Sequence, residues 1–141
     1  MIQSGRASLV VRSRDTDPDT VSELLGLEPT EIKRKETVLR SGRVREIHIW
    51  SLDTDELDNT DHDQTGTRAL RELLERCIPA VGRVAGLPED CEARIWWSAY
   101  SDSTQGGFVL PADLSIQIAS LGVDLYATAH LDDGEETPTS E

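Results

Sequence analysis

The side chains able to do chemistry fall into a few short stretches. Residues 53–66 read DTDELDNTDHDQTG and bring together Asp53, Asp55, Glu56, Asp58, Asp61 and Asp63 with His62. Clustered carboxylates suit a hard cation such as calcium. Read as a calcium loop from Asn59, however, the stretch has Gln64 where glycine must turn and Leu70 where glutamate must close the site. Asp15, Asp17 and Asp19 fail the same test, because Gly26 holds the twelfth position. Asp61-His62-Asp63 therefore reads as a solvated loop, not a proton relay, and no metal is expected.

Nucleophiles are scarce. Cys77 lies on the apolar stripe of a helix, and Cys91 follows after 13 intervening residues. One optional bridge is not a disulfide framework, so two reduced structural thiols are expected. No nucleophile elbow, zinc triad or paired-carboxylate motif is present. Gly106-Gly107-Phe108 could let free N–H groups hold an anion. Without a Gly-x-Gly-x-x-Gly or a Walker lysine it reads as a turn, with Phe108 as a core plug. No catalytic residue and no cofactor can be nominated.

Binding chemistry is better represented. Lys33, Arg34, Lys35, Arg40, Arg43 and Arg45 place six positive charges in thirteen residues. They could contact phosphate or an acidic partner, or simply keep a sheet edge from aggregating. Residues 94–126 hold two of three tryptophans, both tyrosines and the single phenylalanine. The whole chain carries a net charge of −13. Its first 48 residues have nine basic and eight acidic side chains, and the remainder five basic and nineteen acidic. That balance argues against nucleic acid and anionic membranes and is compatible with a basic partner.

These side chains must be positioned by a small set of elements. Residues 7–12 (ASLVVR) form a first strand, and Asp17-Pro18-Asp19 caps a short helix over 18–25 that Gly26 ends. Two strands, Glu31–Leu39 and Val44–Leu52, flank an Arg40-Ser41-Gly42-Arg43 turn. A helix over 67–86 carries Leu70, Leu73, Leu74, Cys77, Ile78, Val81 and Val84 at helical spacing, with a break expected at 75–79 because of Pro79. A strand over 92–100, a helix over 111–121 stopped by Gly122, and a strand over 123–131 complete the order.

The expectation is an α+β fold of ferredoxin-like β-α-β-β-α-β order with an additional C-terminal α-β. Its sheet is mainly antiparallel with helices on one face. Residues 1–131 make one domain, and the acidic tail 132–141 is expected to be disordered. At 141 residues the chain can bury roughly 70% of its unfolded surface. It has no secretory signal and nothing near the roughly 20 apolar residues that span a bilayer, so a cytoplasmic protein is expected.

Strand alternation then nominates a surface. With Ile47, Ile49, Ile95, Trp97, Val123 and Leu125 facing the helices, the open face gathers His48, Trp50, Trp96, Tyr100, Tyr126 and His130. An aromatic and polar face of that extent marks an interaction surface. It would be covered by a protein partner or by a second copy of the chain. The functional expectation is a non-catalytic protein-interaction domain, of which acidic inhibitors or immunity-type proteins are an example. The alternative is a small-molecule binder or enzyme with a pocket between that face and the Gly106-Gly107 loop.

The order of Asp17-Pro18, Leu24-Leu25-Gly26-Leu27-x-Pro29, Trp50-Ser51-Leu52, Gly106-Gly107-Phe108-x-Leu110 and Leu121-Gly122 resembles the domain of unknown function 4279 family across residues 7–126. The resemblance implies one compact α+β domain and brings no catalytic residue with it. The chain departs from the pattern at 33–36, where a glycine is common and Lys-Arg-Lys-Glu stands.

Overall fold

The structure, a computed structural model, describes residues 2–58, 67–101 and 109–131. Strand β1 (Ile2–Ser13) is its axis. Ala7, Leu9 and Val11 are buried while Ser8, Val10 and Arg12 point the other way, the period of two expected of a pleated strand. Helix α1 (Pro18–Leu25) follows, and the Asp17 side chain accepts from the Asp19 N–H at 2.8 Å. That bond and the Arg34 guanidinium hold the Asp17 carboxyl below its ordinary range. Gly26, at φ 69°, closes the helix by donating to the Ser22 carbonyl.

The remaining elements are β2 (Glu31–Lys33), β3 (His48–Asp53), β4 (Leu57–Asp58), α2 (Thr67–Arg76), β5 (Cys91–Ser101), α3 (Ala112–Leu121) and β6 (Asp124–His130). Two single 3-10 turns, Ile78–Ala80 and Val84–Gly86, follow α2, so the helical stretch breaks at Pro79. The fold is α+β, with an open sheet in the order β2-β3-β1-β5-β6. Short β4 pairs with the start of β1 off this path. The ladders are antiparallel except β5–β6, which is parallel.

All three helices contribute to one buried cluster. Val21 and Leu25 from α1, Leu70 and Leu73 from α2, and Leu114 and Ile118 from α3 join Leu9, Val11, Ile95 and Trp97. Thr54 extends the ladder of β1 through both its backbone and its side chain. Its N–H donates to the Ala7 carbonyl, and its hydroxyl accepts from the Ala7 N–H at 3.1 Å.

The structure corrects two expectations. The long basic hairpin has short strands, with an isolated bridge at Val38–Val44 beyond them. Its ladder is interrupted because Glu36 adopts φ 71°, Thr37 donates its hydroxyl to the Arg34 carbonyl, and the Lys35 N–H donates to His48 Nδ1 at 2.9 Å. The second correction concerns faces. Trp50 is 1% exposed and sits in the core with Leu52, while Ile49 shares the outer side with Arg12. The register Leu9–Leu52 and Val11–Trp50 forces this, since residues paired across a ladder share a face and Leu9 and Val11 belong to the core. The Trp50 indole N–H donates to Ser22 Oγ at 2.9 Å, which fixes the ring against α1.

Candidate functional site

The outer side of the sheet is built by alternation in β5 and β6. Arg94, Trp96, Ser98 and Tyr100 project opposite to buried Ile95, Trp97 and Ala99. In the parallel ladder they meet Asp124, Tyr126, Thr128 and His130 in order. Trp96 and Tyr126 therefore stand side by side, with ring centroids 5.0 Å apart and planes tilted by 37°. Tyr100 and His130 stack at 4.7 Å and 16°. Trp96, Tyr126 and Tyr100 remain 40%, 39% and 37% exposed, large for aromatic rings that touch one another.

Arg94 ties this strip together. Its guanidinium carbon lies 4.5 Å from the Tyr126 ring centroid and 5.8 Å from that of Trp96, within cation–π range. It is also ion-paired to Glu92. Arg94 was not singled out from sequence, although it shares the parity of Trp96 and could have been found by the same alternation. His48 and Trp50 do not join the strip, since both lie on the helix side of β3. Gly106, Gly107 and Phe108 lie outside the described residues, as does His62.

The strip offers aromatic faces and a guanidinium, which are binding groups. Titratable groups elsewhere point the same way. Burial pushes the Cys77 thiol up to about 12, and burial also raises Cys91. Asp90 is pulled down to about 2 by the Thr16 hydroxyl and by the Asp15 and Thr16 N–H groups. That carboxylate clamps the turn entering α1, with bonds of 2.7–2.9 Å. Each of these shifts reinforces the protonation state that the group already holds at neutral pH.

Two further features complete the surface. A small cavity of about 90 Å³ lies between the end of α2 and α3, lined by Leu74, Cys77, Ile78, Val81 and Leu121. An open groove of about 610 Å³ lies between the basic hairpin and the sheet near Arg12 and Ile49. Among the described residues no three His, Cys, Asp or Glu side chains gather to hold a metal, and no helix is long and apolar enough to cross a membrane.

Comparison with other proteins gives one match. No curated protein and no solved structure is similar enough to the chain to be matched. The family profile described as a domain of unknown function (DUF4279) matches residues 3–131, covering all of the strands and helices described above but the first residue of β1, and the chain belongs to that domain of unknown function 4279 family.

Proposed function

We propose that the domain is a non-catalytic protein-interaction module that pairs with a second copy of itself through β6. The observation that carries this reading is the character of that edge. β6 is seven residues long, exposed along nearly its whole length, and unpaired on its outer side among the described residues. Its sequence, DLYATAH, has no proline and no lysine, the usual guards of a free strand edge. The opposite edge, β2, is only three residues long and is followed by the basic hairpin.

Self-complementarity supports the same reading. Antiparallel pairing of two β6 strands about Ala127 sets Asp124 opposite the partner's His130 and Tyr126 opposite the partner's Thr128. Opposite charges and aromatic–β-branched pairs are the favourable cross-strand combinations. Such a dimer doubles the sheet and joins two Trp96–Tyr126 strips into one continuous surface. A basic protein is the further partner that surface would suit, given the acidic half of each chain.

The fold is read in the same spirit as ferredoxin-like with an added α-β. The β2-β3-β1-β5 order, with α1 and α2 as connections, supports that description, and β6 then extends the sheet by one parallel strand.

Sedimentation equilibrium from about 1 μM to 1 mM spans the range in which edge-paired dimers form. A concentration-dependent dimer is expected. Tyr126→Lys with Thr128→Lys sets lysines opposite one another across the axis and should leave a folded monomer. A wild-type chain that stays monomeric throughout, or a double variant that dimerises unchanged, would end this reading.

A further inference from the structure

Seven of the fourteen basic side chains are neutralised in ion pairs among the described residues. Arg6 pairs with Glu56, Lys33 with Glu31, Arg34 with Asp17 and Asp19, and Lys35 with Asp15. Arg71, Arg76 and Arg94 pair with Asp113, Glu72 and Glu92. In a chain of net charge −13 this is the expected fate of a cation. Arg12, Arg14, Arg40, Arg43, Arg45 and Arg83 have no such pair, and three of them, Arg12, Arg43 and Arg45, share one place. All three line the groove beneath the basic hairpin, and none has an ion pair or a guanidinium hydrogen bond. The Nε of Arg45 is buried and without a partner, a costly arrangement for a charged donor.

The groove has a distinct chemistry. Its volume is about 610 Å³, with the outer side of β1 and β3 as floor and the hairpin as wall. Leu39, Val44, Ile47 and Ile49 supply apolar lining beside the three arginines. Among the described residues no aromatic ring lines it, so they give a base nothing to stack on. The one carboxylate on its wall among the described residues is that of Glu46. Glu92, which faces Arg12 across the β1–β5 ladder, is engaged by Arg94.

We infer that this groove is a binding site for an aliphatic oxyanion, a carboxylate or phosphate carried on a short hydrocarbon body. Guanidinium groups take such oxyanions through paired N–H donors, and the Ile–Val–Leu wall takes the hydrocarbon. The acidic half of the chain does not forbid it. Repulsion from distant carboxylates is screened within about 8 Å at physiological salt, whereas the three guanidiniums act at contact. The site lies on β3 and the hairpin, apart from the β6 edge, so it stands whether or not the chain dimerises.

The test is a titration of the full chain followed by NMR, reading the arginine Nε–Hε signals and the isoleucine methyls. Octyl phosphate and octanoate are the probes, with inorganic phosphate and octyltrimethylammonium as controls at constant ionic strength. Octyl phosphate should shift the Arg45 Nε signal and the Ile47 and Ile49 methyls together, in a saturable manner. Inorganic phosphate should bind at least about tenfold more weakly, since the apolar wall adds nothing to it. Arg43→Gln and Arg45→Gln should each weaken octyl phosphate by about tenfold or more, and Glu46→Gln should tighten it.

Several outcomes overturn the proposal. One is shifts no larger than those produced by added chloride, and another is shifts indifferent to Arg43→Gln and Arg45→Gln. Equal response to the octyl cation would mean a merely greasy surface. Vesicles of phosphatidic acid in phosphatidylcholine separate a lipid headgroup from a free ligand. The free ligand predicts no cosedimentation, and arginine-dependent vesicle binding would replace this site with a membrane contact. Binding of a glutamate- and leucine-rich peptide in the absence of octyl phosphate binding would replace it with a protein partner.

Discussion

Glu36 holds a left-handed backbone at φ 71°, a region that side chains larger than glycine enter at a cost. Among the described residues it is the one non-glycine residue with positive φ. Glu36→Gly is expected to stabilise the chain by about 0.5–1 kcal/mol, the strain relieved less the entropy that glycine loses on folding. Urea denaturation measures it, and a fall in midpoint would contradict it. Asp90 makes a pH-dependent contribution. Its folded pKa of about 2 lies below the ordinary 3.8, so its stabilisation is present above about pH 4 and is lost as the pH falls through 2. The difference in urea midpoint between wild type and Asp90→Asn should therefore be largest above about pH 4 and shrink toward pH 2. A difference independent of pH would show that the carboxylate charge does not hold the turn.

At the scale of elements, Trp96 and Trp50 separate what was legible in the sequence from what was not. Alternation in β5 places Trp96 outward and Trp97 inward, because only one parity there is apolar in register with Ala99 and Ile95. In β3 both parities are apolar: Ile47 and Ile49 on one, Trp50 and Leu52 on the other. Local pattern cannot choose between them. The choice is made by Leu9 and Val11 across the ladder and by Ser22 on α1, contacts distant in sequence. Trp50→Ala is accordingly expected to cost about 3–5 kcal/mol, as core aromatic deletions do. Trp96→Ala should cost under about 1 kcal/mol, as at a surface position. Equal losses in thermal or urea denaturation would contradict the face assignment. The hairpin was misread for a different reason, since the ladder yields at 34–37 to a side chain, His48, that no strand propensity encodes.

At the scale of the molecule, helix boundaries were legible because caps are local. Asp17, Pro18, Gly26, Pro79 and Gly122 each act within one turn of where they stand. The lateral order of strands was not, and the placement of β6 beside β5 came only from the structure. Charge follows the same division. The near-neutral first third supplies the arginine groove, while the acidic remainder carries the aromatic strip and the free edge. The central position of β1 has one more consequence, for the chain as it is made. β1 is made before the other described strands, yet its second neighbour, β5, ends at Ser101. At roughly 5–20 residues per second the ribosome takes roughly 5–20 s to supply that neighbour. For that interval the Ala7, Leu9 and Val11 face of β1 waits with one flank open, the kind of transiently exposed strand surface that favours aggregation.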